Sequence, residues 1–419
     1  MPQTRYVIIG SSHAGLSAVE AIRLTDRDNP VFLLTQEDTL PYSPTILPYV
    51  VSGEADPEKI FLKDEDALKG SGVVYRRGEK VVGLDLHARS IILKSGEILD
   101  YDKLLLATGA APVLPPVEGL EGVSCHVLRT LEDALGLRRA MEGSRSAVVL
   151  GGGLIGMHAA ENLHKGGLKV TLVEALDQIL PGYFDREAAG LIRDIFRENG
   201  IEVLTGSVVT RVFEDRGRCI VSLDSGEERT ADLLLVATGV RPRIGFLTGS
   251  GIDAEEGVLV DERMRTTHPD VWAAGDVAQA PDFFDSGKKR IHATLVNAVE
   301  QGRIAGMDMA GDEALVPHPG GIAMNTYRFF GHRAFAVGLG GENSGELSPH
   351  HLVEKTGPRY RKIVLQGGRL VGASGINDGM DPGIIAELIR RKIPLQGLEE
   401  RFISDPLGTG RVLMSRTWR

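Results

Sequence analysis

Gly151, Gly153 and Gly156 occupy a G-x-G-x-x-G spacing in "VVLGGGLIGMHAAENLHKGGLKVTLVE". Glycines so spaced hold a pyrophosphate. The first makes a tight turn, the second lets the backbone approach the phosphates, and the third lets a helix pack closely on a strand. The phosphates then rest on amides at the start of the helix, around Leu154 and Ile155, where its dipole is positive. A strand pattern precedes the loop over residues 147–150, and Gly166-Gly167 reads as the helix C-cap. Glu174 ends the next strand pattern, near the spacing of about 20 residues at which an acid accepts from the adenosine ribose hydroxyls. A carboxylate there repels a 2′-phosphate, and no arginine follows in "EALDQILP", so the pattern favours NADH over NADPH.

A looser version opens the chain. "VIIGSSHAGLSAVEAIR" keeps Gly10 and Gly15, places Ser12 in the middle position, and follows it with His13 and Ala14. Serine is small enough for close approach, and its hydroxyl can bond a phosphate. The next strand pattern, over 31–34, ends at Thr35 with no acid; Glu37 either substitutes for it or points into water. His13 lies either beside phosphates or in a solvated loop. "WAAGD" strengthens the site: Gly275 allows close contact, and Asp276 puts a carboxylate at the carboxyl edge of a sheet, where open α/β sheets bind ligands. It suits a polyol such as the ribityl chain of FAD.

The elements that must position these residues form a loose repeat. Each unit runs from an apolar segment through a Gly-rich turn, a helical stretch and a second apolar segment to a strand ending in Ala-Thr-Gly. These ends are Ala107-Thr108-Gly109 in the first unit, and Thr238 and Gly239 in the second. Alternating strand and helix patterns imply a parallel sheet with helices on both faces, and two units imply two nucleotide sites. "TLVNAVEQGRIAGMDMAG" reads as a helix. From about Leu315, "RAFAVGLG" and "RKIVLQGGRLVGASG" read as antiparallel strands and "DPGIIAELIRRKIP" as a helix, an α+β domain. "GLGGENSGELSPHH" reads as a polar surface excursion.

Totals narrow the class. The 419 residues are 42% hydrophobic and 25% charged, as in ordinary globular proteins. No apolar run is long enough for a transmembrane helix, and no signal peptide is expected before the strand starting near Tyr6. A net charge of −10 argues against nucleic acid or anionic membrane as a partner. Cys125 and Cys219 make neither a CxxC pair nor a zinc pattern, which fits a reducing, cytoplasmic compartment; both read as apolar fillers in strand-like stretches. His292, His318, His332, His350 and His351 show no ligand spacing, and no metal is expected. The basic runs "GKKRIHA" and "IRRKIP" are solvated faces or docking sites.

"GSSHAG", "LLLATGA", "GGGLIG", "VATGVRP" and "TTHPDVWAAGDVA" come in the order and spacing of the two-dinucleotide-binding-domain flavoproteins, the pyridine nucleotide–disulfide oxidoreductase superfamily, which the chain resembles over nearly its whole length. The resemblance implies an α/β fold of two Rossmann-like domains, the second inserted in the first, with a C-terminal α+β interface domain. The expected division is 1–118 and 242–314 for FAD, 119–241 for NAD(H), and 315–419 for the interface, through which a homodimer or hetero-oligomer could form. It implies hydride exchange between nicotinamide and flavin N5. By the same likeness Arg129 lies near the flavin and Val81 or Val82 offers backbone to adenine. His158 stands where relatives carry a glutamate facing the nicotinamide. Its imidazole either bonds the carboxamide, with a charge that varies near neutral pH, or is a tolerated substitution on the first turn of a helix.

The largest departure is in "LPYSPTILPYV". Disulfide reductases and single-cysteine members of the superfamily carry a reactive cysteine where this chain has Thr45. Threonine supplies no thiolate, so thiol relay is excluded there. Ser43-Pro44 reads as an N-cap followed by proline at the first helical position. The run resembles a thiol-free branch of ferredoxin, rubredoxin and nitrite reductases. That likeness implies electrons leaving to an iron–sulfur protein or subunit, with this chain as the NAD(H) module of a larger complex, as in anaerobic aldehyde or 2-oxoacid oxidising assemblies. The alternatives are a freestanding NADH oxidase or small-molecule (quinone or dye) reductase, and a redox-sensing, non-catalytic flavoprotein.

Overall fold

The computed structural model describes residues 5–340, 350–395 and 397–417. They pack as two compact units. One comprises Met1–Pro44, Glu58–Ala111 and Val240–Ile322, the other Thr45–Pro57, Pro112–Gly239 and Ala323–Arg419.

The first unit is built on a five-stranded, all-parallel sheet in the order Val271–Ala273, Lys103–Leu106, Tyr6–Ile9, Val31–Leu34 and Val73–Arg76. Its central strands are apolar but for Lys103 at the start of one, because both faces are buried. Ile8 lies between Leu33 and Leu105 in register. Helices His13–Thr25 and Leu295–Ala310 meet through glycines of the second. A Cβ on Gly302 would sit 2.1 Å from the Ala14 carbonyl oxygen, and one on Gly306 would sit 2.4 Å from that of Ala18. Strands Val81–Asp85, Ser90–Leu93 and Ile98–Asp100 add a small antiparallel sheet.

The second unit repeats the construction with a four-stranded parallel sheet: Glu202–Leu204, Lys169–Val173, Ser146–Leu150 and Leu233–Val236. It adds an antiparallel trio, Val209–Asp215, Arg218–Leu223 and Glu228–Ala231. Its other large sheet is antiparallel, in the order Met324–Phe329, His332–Gly338, Arg369–Ile376, Arg359–Gln366 and His350–Thr356. The expected helix in "DPGIIAELIRRKIP" is Pro382–Arg390, capped by Asp381, which accepts the Ile384 N–H at 3.0 Å. The stretch "GLGGENSGELSPHH" falls largely outside the described residues, as do the side chains of His350 and His351.

Two local expectations are corrected. Pro44–Ile46 forms a 3₁₀ turn, and the α-helix is Leu47–Ser52, with Ile46 at its N-cap and a proline in its first turn. Pro48 has no N–H to donate, so the α-helix begins where that residue falls among the unbonded first positions, and Pro44 opens only the preceding 3₁₀ turn. Cys125 lies in no strand; it precedes the bridge between His126 and Leu235 and is partly exposed.

Candidate functional site

The two Gly-rich loops are the same corner built twice. Gly151 has φ +104° and Gly10 φ +117°, a region that disfavours any side chain. A Cβ on Gly151 would lie 2.4 Å from the Ala237 carbonyl oxygen; on Gly10 it would lie 2.1 Å from that of Ala107. Gly156 and Gly15 each press to 1.9 Å, in the same sense, on the carbonyls of Gly151 and Gly10. These four glycines are therefore demanded by the chain itself, where strand, turn and helix close on the next strand.

The middle positions differ. Gly153 is the N-cap of helix Leu154–Lys165, and a Cβ there would meet nothing within 4 Å. Ser12 is the equivalent N-cap of helix His13–Thr25 and makes no side-chain capping bond. The first bonds of the two helical ladders run from Met157 N–H to Gly153 O and from Leu16 N–H to Ser12 O. The amides of Leu154, Ile155 and Gly156, and of His13, Ala14 and Gly15, precede those bonds and are the donors a helix start leaves over. Open middle positions and spare amides make a cradle that could hold a pyrophosphate at each corner.

The Ala-Thr-Gly ends are also duplicated. Thr238 Oγ1 donates to Val113 O at 2.9 Å, and Thr108 Oγ1 to Arg243 O at 3.1 Å. Gly239 and Gly109 both take positive φ, +123° and +64°. Val113 N–H donates to Gly239 O, and Arg243 N–H to Gly109 O.

In the second unit Glu174 follows strand Lys169–Val173. Its Oε2 accepts the Gly152 N–H at 2.6 Å and its Oε1 the Leu176 N–H at 2.8 Å. The helix from Leu154 ends as expected, with Gly166 at the C-cap and Gly167 at φ +96°. Gly152 is a residue the motif spacing overlooked. A Cβ there would press on Ile179 at 3.0 Å and Glu174 at 3.1 Å. The run of three glycines was its only signal.

His158 packs face to face on Tyr327, centroids 4.6 Å apart and planes 26° apart, with Tyr49 edge-on at 6.2 Å. Burial, helped by the Lys165 charge, pushes its imidazole down to about 4. The expected titration near neutral pH is corrected: the ring is neutral there.

In the first unit Gly275 meets Ala14. Its absent Cβ would lie 3.1 Å from the Ala14 Cβ, and its N–H donates to Gln301 Oε1 at 2.9 Å. Asp276 is thereby carried to the same sheet edge as the first Gly-rich loop. Gln301 is 1% exposed, with a buried Nε2 that has no protein partner. It shares the buried face of its helix with two other polar residues, Asn297 and Asp308, so its polarity alone did not single it out. His13 is not in a solvated loop: it begins its helix, is half-buried, and pairs its Nε2 with Ser43 Oγ at 2.8 Å. Burial lowers its imidazole below the usual range. Thr35 is buried, and Glu37, rather than pointing freely into water, accepts the Tyr42 hydroxyl at 2.6 Å. Val82 falls at the strand irregularity between Val81 and Gly83 and is exposed. Arg129 belongs to the second unit, where its N–H donates to Asp133 Oδ2 beside the Thr130–Asp133 capping box. Pro44 ends the first segment of the first unit, and Thr45 begins the second unit.

Both thiols are disfavoured as thiolates. Cys219 is buried and Cys125 packs against the same apolar cluster. Burial pushes both thiols up, Cys219 to about 11 with help from Cys125 and Glu214. Among the described residues no three His, Cys, Asp or Glu side chains gather as a metal site, and no helix is long and apolar enough to cross a membrane. The basic runs are partly neutralised in place: Arg290 faces Asp282 at 3.4 Å, Lys288 faces Asp285 at 2.9 Å, and Arg390 and Arg391 both reach Glu387.

The family described as pyridine nucleotide-disulphide oxidoreductase matches residues 4–302. The chain is 47% identical over 416 residues to the NADH-dependent phenylglyoxylate dehydrogenase subunit epsilon of Aromatoleum evansii, covering 99% of this chain and 98% of that one. It is 32% identical over 317 residues to a rubredoxin-NAD(+) reductase of Pseudomonas putida, covering 75% and 82%. The fold is also that of a covalent putidaredoxin reductase–putidaredoxin complex, with a TM-score of 0.84, 24% identity, and coverage of 93% of this chain and 94% of that one. With both Gly-rich corners inside the matched span, the chain belongs to the pyridine nucleotide-disulphide oxidoreductase family, whose members bind FAD and NAD(H).

Proposed function

We propose that this chain carries electrons between NAD(H) and an iron–sulfur partner, as the FAD- and NAD(H)-binding subunit of a complex that oxidises a 2-oxoacid of the phenylglyoxylate class. The supporting likeness is to the phenylglyoxylate dehydrogenase subunit, which extends over 99% of the chain, the C-terminal sheet included. The observation that carries the electron route is the state of the sulfurs. Thr45 stands where the family's thiol would be, and burial raises both cysteines away from thiolate. Electrons therefore have no covalent stop on this polypeptide, and on this reading they leave to another one. When bound, FAD accepts a hydride as two electrons and can release them one at a time.

The chain's residues supply position. In the first unit the amides of His13, Ala14 and Gly15, the Ser12 hydroxyl and the Asp276 carboxylate hold FAD, joined by Thr35, Glu37, Pro44, Val82 and the Ala107–Gly109 corner. In the second unit the amides of Leu154, Ile155 and Gly156 hold the NAD(H) pyrophosphate beside open Gly153. Glu174 reads the ribose, Thr238 and Gly239 border the site, and neutral His158 offers an uncharged polar edge.

The test is purification of the untagged protein from its native source, with assay of iron, co-eluting subunits and NADH-linked viologen reduction. Stoichiometric iron with partner chains supports the complex. A lone yellow protein that oxidises NADH rapidly with oxygen overturns it in favour of an oxidase.

A further inference from the structure

Between Glu174 and the helix Arg186–Glu198, residues 175–185 form a strap across the second Gly-rich corner. Leu180 N–H donates to Gly152 O at 2.9 Å, and Ile179 packs where a Gly152 side chain would stand. Leu180 is fully buried yet takes φ +52°, a left-handed conformation that a leucine keeps only when its surroundings impose it. Gln178 Nε2 donates to Phe184 O at 2.9 Å, so the strap folds back on itself.

Its far end is tied to the C-terminal antiparallel sheet. Asp185 caps the next helix through the Ala188 N–H, and its Oδ2 accepts the Tyr360 hydroxyl at 2.6 Å and faces Lys362 Nζ at 3.0 Å. Both partners are buried, Tyr360 at 0% and Lys362 at 5% exposure. Lys362 also donates to Gly340 O at 2.9 Å. A buried lysine and a buried tyrosine that converge on one carboxylate form a fixed anchor, because unpairing either leaves a desolvated polar group.

We infer that Tyr360 and Lys362 are positioning residues for NAD(H): through Asp185 they hold the strained strap, and the strap holds Gly152 and Glu174 in the geometry that receives the adenosine ribose and pyrophosphate. This rests on the assignment of NAD(H) to this corner. The C-terminal sheet thus has a role in nucleotide affinity although none of its residues is assigned to the nucleotide.

The probe is ADP-ribose, the ligand without its redox-active nicotinamide, titrated calorimetrically into the FAD-loaded protein. Tyr360→Phe removes one oxygen, Lys362→Met removes the charge at similar volume, and Lys362→Arg restores a cation. Tyr360→Phe and Lys362→Met each weaken ADP-ribose roughly five- to twentyfold, and hydrogen exchange at the Leu180 amide accelerates. FAD content stays at the parent level, KM for NADH rises with kcat retained, and Lys362→Arg recovers most of the affinity. ADP-ribose affinity within about twofold of the parent in both variants, whatever their thermal midpoints, overturns the inference while leaving the NAD(H) site intact. A parent protein that binds no ADP-ribose overturns the assignment and the inference together.

Discussion

Glu174 Oε2 accepts the Gly152 N–H at 2.6 Å, so the acid proposed to read a ribose also pins the loop proposed to hold the phosphates. The two tasks use different lone pairs of one carboxylate, which has about four acceptor sites. On the proposed assignment, loop shape and nucleotide choice are coupled at this residue.

Glu174→Arg exchanges an acceptor for a fork of donors suited to a 2′-phosphate. The ratio of kcat/KM for NADPH to that for NADH should rise by at least about tenfold, roughly 1.4 kcal/mol. Affinity for both nucleotides should fall somewhat, because Gly152 loses its acceptor. Steady-state kinetics with the two coenzymes check this, and an unchanged ratio would remove Glu174 from the site.

Gly151→Ala and Gly153→Ala should separate fold from ligand. The first drives a Cβ to 2.4 Å from a carbonyl oxygen at φ +104° and should cost upwards of about 1 kcal/mol of stability. The second meets no protein atom within 4 Å, so its thermal midpoint should match the parent while NADH binding weakens. If Gly153→Ala binds NADH as well as the parent does, the pyrophosphate does not lie there.

Cys125→Ser combined with Cys219→Ser should keep NADH-driven reduction of the bound flavin and turnover with the acceptor. Placing a hydroxyl at buried Cys219 should cost about 1–3 kcal/mol of stability. Loss of turnover in a folded double variant would restore a thiol to the mechanism.

His158 should make stability pH-dependent. Its folded value of about 4 lies below the ordinary 6.5, so the stability linked to the neutral ring is complete above 6.5 and is lost as pH falls toward 4. By about pH 5 the loss should be on the order of 2 kcal/mol, and His158→Phe, which keeps the stack on Tyr327, should remove it. Denaturant midpoints of the two proteins across that window decide the matter; parallel slopes would mean that His158 is not buried as described.

Much of the nucleotide-binding framework was legible in the chain because it is local. Gly10, Gly15, Gly151 and Gly156 are forced by strand–turn–helix corners only a few residues long, and the corners came with their periodic strands and helices attached. The end of the helix at Gly166-Gly167 was legible for the same reason. The absence of a thiol at Thr45 needed no coordinates at all.

What the chain could not disclose depends on residues far apart in sequence. Neutral His158 is set by burial against Tyr49 and Tyr327. The pairing of His13 with Ser43 and of Glu37 with Tyr42 is set by how loops return to the first corner. The hold of Tyr360 and Lys362 on Asp185 joins a C-terminal sheet to a strap well over a hundred residues earlier. Composition and spacing record which groups a chain owns. Desolvation and approach across the fold decide which of them are charged, paired or held in place, and only the tertiary structure determines those.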